Sequence, residues 1–387
     1  MKQFLYLIVV VLGFTVAGCS GDSSDDEMRP EIPDGGGNGG GGGAVEFDRG
    51  AMLAHWADFI IIPSYVGFLD DFADVNAAFD TFRGQPDATS LENLRAAWLE
   101  SYKRWQWISM YEIGPAEQEG LRLNVNTYPT DTDLLEQNAA SGSYDLDLPS
   151  NRDAKGFPAL DFLLNGLGDT EEAILMAYTD GTSGPRYFDY FEDVLTDIET
   201  RVQRVADAWV REYRDIFVAN DGASSTASVD RFVNDYIFYY EKFLRAGKMG
   251  IPLGVFTGTP APNTLEAYYL PGIGNDLFLQ GLQAVQDFFN GKAIDGSGTG
   301  ESLASYLRAL NTVKGGEALD EVINSQLNMA RDMVRSLQAF KTEIEENNPP
   351  TDMLLAYDEV QRVVPLMKVD MVSAMSIAID FVDADGD

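Results

Sequence analysis

The chain has 387 residues, of which 45% are hydrophobic and 11% aromatic, so it can bury a core without disulfide or metal crosslinks. Its 62 acidic and 27 basic residues give a formal net charge of -35, and such a surface repels phosphate backbones and anionic lipid headgroups. We therefore expect cations, or partners that carry them, as ligands, and no binding of nucleic acid.

The N-terminus has the pattern of a bacterial lipoprotein signal. Residues 1–18 contain one basic residue, an apolar run too short to span a bilayer, and a small-residue site. The sequence Val16-Ala17-Gly18-Cys19 resembles a lipobox, in which the cysteine is acylated and becomes the new N-terminus. We predict a signal peptide over residues 1–18 and lipidation at Cys19, so that acyl chains hold the protein at the membrane.

Residues 19–44 are predicted to be a disordered tether, because they combine acidic residues and a glycine tract with few apolar side chains. The stretch Ser24-Asp-Asp-Glu27 also resembles the signal that carries Bacteroidetes lipoproteins to the outer face of the outer membrane. We therefore predict an outer-membrane lipoprotein that faces the cell surface, with the periplasmic face as the alternative.

The part of the chain after the tether is predicted to be all-α. Apolar residues between Asp87 and Tyr111 repeat at three- and four-residue intervals, with capping-box spacing at Thr89 and Glu92, and Pro185 opens a longer segment of the same kind. No stretch alternates like a β-hairpin. The other predicted helices cover 47–82 with a break at Pro63, 229–246, 275–289, 303–310, 319–346, and 352–382 with a kink at Pro365.

The stretch from Leu121 to Asn165 is rich in acids and weak in helical periodicity, so we predict a long acidic loop that is functional or disordered. Within it, Asp161 stands among apolar neighbours at the predicted start of a helix. A buried carboxylate must be paired, capped or bound to a metal. The alternative is a first-turn acid that is favoured by the helix dipole.

Glu112 is a second carboxylate of interest, because it continues the apolar stripe of Trp98, Trp105 and Ile108. Both an Arg or Lys partner and a metal ion would satisfy an acid on a packed face. His55 is the single histidine, which excludes a His-Glu-x-x-His zinc site. We interpret His55 as a packing or helix-surface residue.

Several blocks of the chain resemble the imelysin family, which is classed among peptidases and linked to bacterial iron uptake. Two blocks are similar to its best-known ones: Ala97-Trp98 through Gly114-Pro115, and Gly156-Phe-Pro-Ala-Leu-Asp161-Phe-Leu-Leu. The later blocks Gly247–Gly254 with Leu265-Glu266-Ala267, and Lys368 to Asp387, resemble its Bacteroidetes members. The resemblance implies two related antiparallel helical-bundle domains, residues 45–184 and 185–387, which arose by duplication and have a site near their interface.

The family signature Gly-x-His-x-x-Glu corresponds to Gly156, Pro158 and Asp161 in this chain. Proline has no lone pair for a metal and no proton to transfer, so any role of the family histidine is lost. The resemblance therefore implies an oxygen-only site, for which Asp161 and Glu112 are the candidate metal ligands. Such a site suits hard cations such as calcium or ferric iron and is poorly suited to zinc.

Our first hypothesis is a non-enzymatic lipoprotein that takes part in uptake of iron or another cation, by binding it or by passing it to an outer-membrane partner. The first alternative is a peptidase of the imelysin type. The second is a surface for docking protein or glycan, formed by Trp98, Trp105, Trp107 and Tyr111, although helical spacing favours a core role. The alternating aspartates of residues 383–387 are expected to be an acidic tail rather than a calcium loop.

Overall fold

The computed structural model describes residues 47–380. The predicted signal peptide, Cys19, the tether and the terminal aspartates lie outside the described residues. Within 47–380 the chain is built from α-helices, together with π-helical and 3-10 segments and one small hairpin. The predicted all-α fold class is confirmed.

The first part of the described chain contains α-helices that were predicted and several short ones that were not. They are α1 (Arg49–His55), α2 (Ile62–Gly84), α3 (Ala88–Trp105), α4 (Pro115–Glu119), α5 (Leu121–Val125), α6 (Thr132–Ser141), α7 (Gly156–Asn165), α8 (Glu171–Thr179), α9 (Gly184–Ala208) and α10 (Arg214–Ala219). A 3-10 helix, Pro149–Ala154, precedes α7.

The second part continues the helical pattern. Its α-helices are α11 (Ser228–Phe238), α12 (Ile273–Phe289), α13 (Leu303–Ala309), α14 (Leu319–Arg335), α15 (Phe340–Glu346), α16 (Thr351–Gln361), α17 (Val363–Pro365) and α18 (Val372–Met375). A 3-10 turn, Pro262–Thr264, precedes α12, and the strands β1 (Val313–Lys314) and β2 (Glu317–Ala318) form an antiparallel hairpin. The hairpin was not predicted, because two-residue strands are too short to show alternation.

Four helices change into π-helix without interruption, at Trp56–Ile61, Trp209–Tyr213, Tyr239–Gly250 and Leu366–Met371. Pro63 lies in the first turn of α2, directly after the first of these segments, and Pro365 ends α17, directly before the last. Proline cannot donate the i→i-4 hydrogen bond, so it lies where the helix type changes. The predicted break at Pro63 is therefore a change of helix type.

The prediction of a long acidic loop is wrong, because most of Leu121–Asn165 folds into short helices. Each is too short to show several turns of apolar periodicity. Some of the acids hold these elements in place: the Asp131 side chain caps α6 by accepting from the Leu134 amide at 3.0 Å. Asp147 pairs with Arg201 of α9. The acids that suggested a loop therefore act as caps and ion-pair partners.

The N-cap of α3 lies two residues earlier in the chain than the predicted capping box implied. Asp87 is the N-cap, and it forms the reciprocal box with Ser90 instead of the predicted pair Thr89 and Glu92. Helix α9 begins at Gly184 with Pro185 in its first turn, as predicted. The described residues form one compact unit of contacts, and the division at residue 184 and the origin by duplication stay predictions.

An aromatic cluster fixes the start of α7 against α2 and α3. The fully buried ring of Phe157 stacks on Tyr102, with ring centroids 4.5 Å apart. Its edges meet Phe68 and Phe72 in T-shaped contacts. Offset-stacked and T-shaped pairs are the favoured aromatic arrangements, so this cluster determines where the next residues of α7 lie.

We expect Phe157→Ala to lower the free energy of unfolding by about 3–5 kcal/mol, because it leaves a cavity among packed rings. The matched control is Phe59→Ala, since Phe59 is 49% exposed and its loss should change stability little. Thermal or urea unfolding followed by circular dichroism would measure both. Equal effects of the two substitutions would contradict this assignment of the core.

Candidate functional site

Gly156 opens α7 in a conformation that requires glycine. Its φ is +78°, and a Cβ added there would lie 2.2 Å from the backbone oxygen of Val125. Both the left-handed backbone and this close approach exclude a side chain. Gly156 therefore lets the start of α7 pack directly against the end of α5.

Asp161 lies in the middle of α7, not in its first turn, so the first-turn interpretation is wrong. The helix begins five residues before it, at Gly156. The side chain is buried, with the residue 1% exposed. Its Oδ1 accepts a hydrogen bond from Asn165 Nδ2 at 3.0 Å, and its Oδ2 accepts from the Tyr269 amide at 2.7 Å.

Burial raises the pKa of Asp161 to about 7, because the charged form is costly away from water. Hydrogen bonds from the Tyr269 amide and the Asn165 side chain oppose this rise, as does the positive charge of Lys341. The carboxyl group therefore changes its protonation state near neutral pH.

Asp161 and Pro158 line a cavity of about 260 Å³. The rest of its wall comes from two segments, which contribute Tyr128, Pro129, Thr130, Thr132, Asn263, Leu265, Ala267, Tyr268 and Tyr269. The polar groups among these residues are hydroxyls, one amide and one carboxylate. The buried Thr130 Oγ1 forms no hydrogen bond to the described residues.

A buried ion pair lies next to this cavity wall. Lys248, on the π-helical segment Tyr239–Gly250, pairs with Glu266, and both side chains are less than 5% exposed. Glu266 Oε1 also accepts from Asn126 Nδ2 at 2.8 Å and from Gln106 Nε2 at 3.2 Å. Burial lowers the pKa of Lys248, whereas the Glu266 charge opposes that shift.

The wall segment 265–270 is thus fixed at two points. Glu266 is held by Lys248, and the Tyr269 amide is held by Asp161. Between them Ala267 has a φ of +53°, a conformation that a non-glycine residue adopts only where its surroundings impose it. The sequence blocks containing Lys248 and Glu266 were singled out, but their pairing was missed because 18 residues separate them.

Comparison with known proteins identifies the family of this chain. Residues 61–364 match the family model described as imelysin, peptidase M75. This chain belongs to the imelysin family. The predicted resemblance is confirmed, and it extends over most of the described residues.

This imelysin is similar to iron-regulated protein A of Synechococcus elongatus, with 27% identity over 155 residues. The match spans 40% of this chain and 38% of that protein, which is well under half of the relative's length.

Two crystal structures share the fold of this imelysin. One, described as an iron-regulated protein A precursor of Parabacteroides distasonis, has a TM-score of 0.68 at 15% identity and covers 85% of this chain and 97% of its own. An imelysin-like protein of Psychrobacter arcticum has a TM-score of 0.64 at 15% identity, covering 86% and 97%. At this identity the likeness shows the fold alone.

Glu112 lies elsewhere in the imelysin, in a separate cavity of about 180 Å³. Its Oε2 accepts from the Arg122 amide at 2.9 Å, and its own amide donates to Asp235 Oδ2 at 2.9 Å. The Arg122 side chain pairs with Asp235 at 3.1 Å. The Glu112 carboxylate thus contacts the backbone of Arg122, whereas the guanidinium of that residue pairs with Asp235. The expected Arg or Lys ion pair of Glu112 does not form within the described residues.

Burial raises the pKa of Glu112 to about 7, and the charge of Arg122 opposes this rise. Glu112 and Asp161 share no hydrogen-bond partner and line different cavities. Among residues 47–380 no group of three or more His, Cys, Asp or Glu side chains is arranged to hold a metal. The role of either carboxylate as a metal ligand stays a prediction.

His55 does not supply the imidazole that the imelysin motif lacks. Its Nε2 is 2.7 Å from the Gly291 carbonyl oxygen, and its ring stacks on Phe59 with centroids 5.2 Å apart. The packing interpretation is confirmed. At the motif itself, Pro158 contributes only ring carbons to the cavity wall.

The prediction of an aromatic docking surface is wrong for this imelysin. Trp98, Trp105 and Tyr111 are at most 1% exposed and belong to the core. Trp107 is partly buried, and its Nε1 donates to Gln280 Oε1 at 3.0 Å. Helical spacing therefore indicated packing here, as expected for most aromatic stripes.

The raised pKa of Asp161 makes the stability of the imelysin depend on pH. Protonated Asp161 is favoured in the folded state, so its contribution is fully present near pH 4 and is lost as pH rises through 7. Relative to Asp161→Asn, the wild type should lose up to about 1.4 kcal/mol per pH unit over this range. Urea unfolding between pH 4 and 8 measures the difference; parallel curves for the two proteins would refute it.

Proposed function

We propose that this imelysin binds iron or another cation at the outer membrane, that its Asp161 cavity receives the cation, and that it does not hydrolyse peptides. The chemistry of the cavity carries this proposal. Asp161 is its one charged lining residue, hydroxyl groups surround it, and Pro158 stands at the motif position of histidine. The name of the Synechococcus relative, iron-regulated protein A, supports an iron-related role.

The oxygens of the cavity have the capacity to accept a cation. Asp161 accepts hydrogen bonds from the Asn165 side chain and from the Tyr269 and Leu270 amides, and its two oxygens together offer about four lone-pair sites. Thr130 Oγ1 is buried without a partner in the described residues and is free to turn toward a ligand. A bound cation would also offset the cost of burying the carboxylate charge, and hard cations prefer such oxygen ligands.

The outer-membrane location rests on the lipobox and the acidic tether. Acyl chains on Cys19 would contribute about 0.8 kcal/mol for each buried CH₂ group, which is sufficient for stable anchoring when several chains are present. A protein held in this way could pass its cation to an uptake partner in the same membrane. The net charge of -35 favours accumulation of cations near its surface.

The peptidase alternative is favoured by one observation, the pKa of Asp161 at about 7, which suits general acid–base catalysis at neutral pH. The loss of the motif histidine at Pro158 weighs against it. Cleavage of a peptide library by the purified protein, abolished by Asp161→Asn, would favour the peptidase over the binding protein.

We expect Asp161→Asn to weaken cation binding at least tenfold, because the cavity loses its carboxylate. Calorimetric titration of the purified protein with Ca²⁺, and with Fe²⁺ under anaerobic conditions, measures the affinity. The matched control is Asp352→Asn, which removes one exposed negative charge on α16.

The pH dependence gives a second check on the same binding event. Protons compete with the cation for Asp161, so affinity should fall by about tenfold per unit below pH 7 and level off above it. No saturable binding by the wild type, or equal losses in Asp161→Asn and Asp352→Asn, would refute the proposed site.

Lipid anchoring has its own test in a Gram-negative host. The wild type should incorporate labelled palmitate and sediment with membranes, whereas Cys19→Ser should do neither, since serine cannot form the thioether to lipid. Ser20→Ala, next to it in the chain, is the control and should behave as the wild type. Labelling that persists in Cys19→Ser would contradict the lipobox assignment.

A further inference from the structure

The Asp161 cavity supplies few ligands for a bare metal ion. Calcium takes about six to eight oxygen ligands, and other hard cations also require several. Asp161 is the one carboxylate of the cavity, and no cluster of three metal-binding side chains forms within residues 47–380. A cation that binds here therefore takes most of its ligands from water or, for tighter binding, from a chelator.

Lys341, on α15, lies over an aromatic ring rather than beside an acid. Its Nζ lies 3.8 Å from the centroid of the Tyr268 ring, and the described residues offer it no hydrogen bond or ion pair. A cation over a tyrosine ring is only partly compensated and can still pair with an anion.

Lys341 and Asp161 face adjoining spaces. Lys341 lines a second space of only about 10 Å³, together with Glu266, and this space shares Leu265, Ala267 and Tyr268 with the Asp161 cavity. The positive charge of Lys341 also lowers the pKa of Asp161, against the larger rise that burial causes. Asp161 and Lys341 thus both contact the wall segment 265–270, the first at Tyr269 and the second at Tyr268.

We propose that this site binds a cation already complexed by a small polycarboxylate, with the metal toward Asp161 and a free carboxylate of the chelator toward Lys341. This inference rests on the proposed function and specifies its ligand. The chelator supplies the metal ligands that the cavity lacks. Lys341 repels a bare cation, and Asp161 repels a bare polycarboxylate, so the complex is the species that both residues accept.

The size of the cavity agrees with a small complex. Its volume of about 260 Å³ lies just below the roughly 300–1,000 Å³ of cavities that hold drug-sized ligands. A metal with one small polycarboxylate fits that space, whereas a macrocyclic or peptide chelator exceeds it.

The experiment uses the purified protein and ferric citrate, with gallium citrate as a redox-inert form, and free citrate and Ca²⁺ as comparisons. We expect ferric and gallium citrate to bind more tightly than either comparison ligand. Lys341→Met keeps the apolar stem over Tyr268 but removes the charge. It should weaken binding of the citrate complexes at least tenfold and leave Ca²⁺ affinity equal or higher.

Lys242→Met is the matched control, because Lys242 is exposed and its loss changes the net charge by the same amount. It should alter citrate-complex binding less than twofold, and unfolding curves should show all variants folded. Equal effects of Lys341→Met and Lys242→Met would overturn the chelate proposal. So would an absence of ferric citrate binding by the wild type.

The Asp161→Asn variant separates this inference from the proposed function. If it abolishes Ca²⁺ binding while Lys341→Met leaves ferric citrate binding intact, the cation site stands and the chelate proposal falls. If ferric citrate binding requires Lys341 but not Asp161, and free citrate binds equally well, the cavity is an anion site and both proposals fall. Loss of complex binding in both variants supports both.

Discussion

The hydrogen bond from the Tyr269 amide to Asp161 joins two parts of the chain that are 108 residues apart. Helix α7 provides the acceptor, and the segment 265–270 provides the donor. Because the carboxylate is buried, its charged form is stable only while such donors are hydrogen-bonded to it. The same bond therefore sets the geometry of the cavity wall and the proton affinity of the one acid in the cavity.

Other buried charges extend this arrangement away from the cavity. Lys248 and Glu266 are both removed from water, and Gln106 and Asn126 complete the hydrogen bonding of the pair. A buried ion pair adds little net stability, because desolvation cancels much of the attraction. Its main effect is to permit one position of the wall segment, since any other position would leave a charge unpaired.

The periodicity of apolar residues was sufficient to predict the long amphipathic helices, and Pro185 correctly marked the start of α9. It failed between Leu121 and Asn165, where each helix completes too few turns and capping acids resemble loop residues. The motif positions Gly156 and Asp161 were found by resemblance, but the helix start was not. Contacts such as Lys248 with Glu266, or Lys341 with Tyr268, depend on how distant segments pack, and no local pattern encodes that.

Lys248 reaches Glu266 from a π-helical segment, so the ion pair is sensitive to insertions and deletions there. A π-helix holds one more residue per hydrogen-bonded ring than an α-helix. Deleting a single residue from Tyr239–Gly250 would let the segment rewind as α-helix and rotate the residues beyond the deletion by roughly 100° about the axis. The ammonium group would then face away from its partner, so the Lys248–Glu266 pair depends on the length of this segment as well as on its composition.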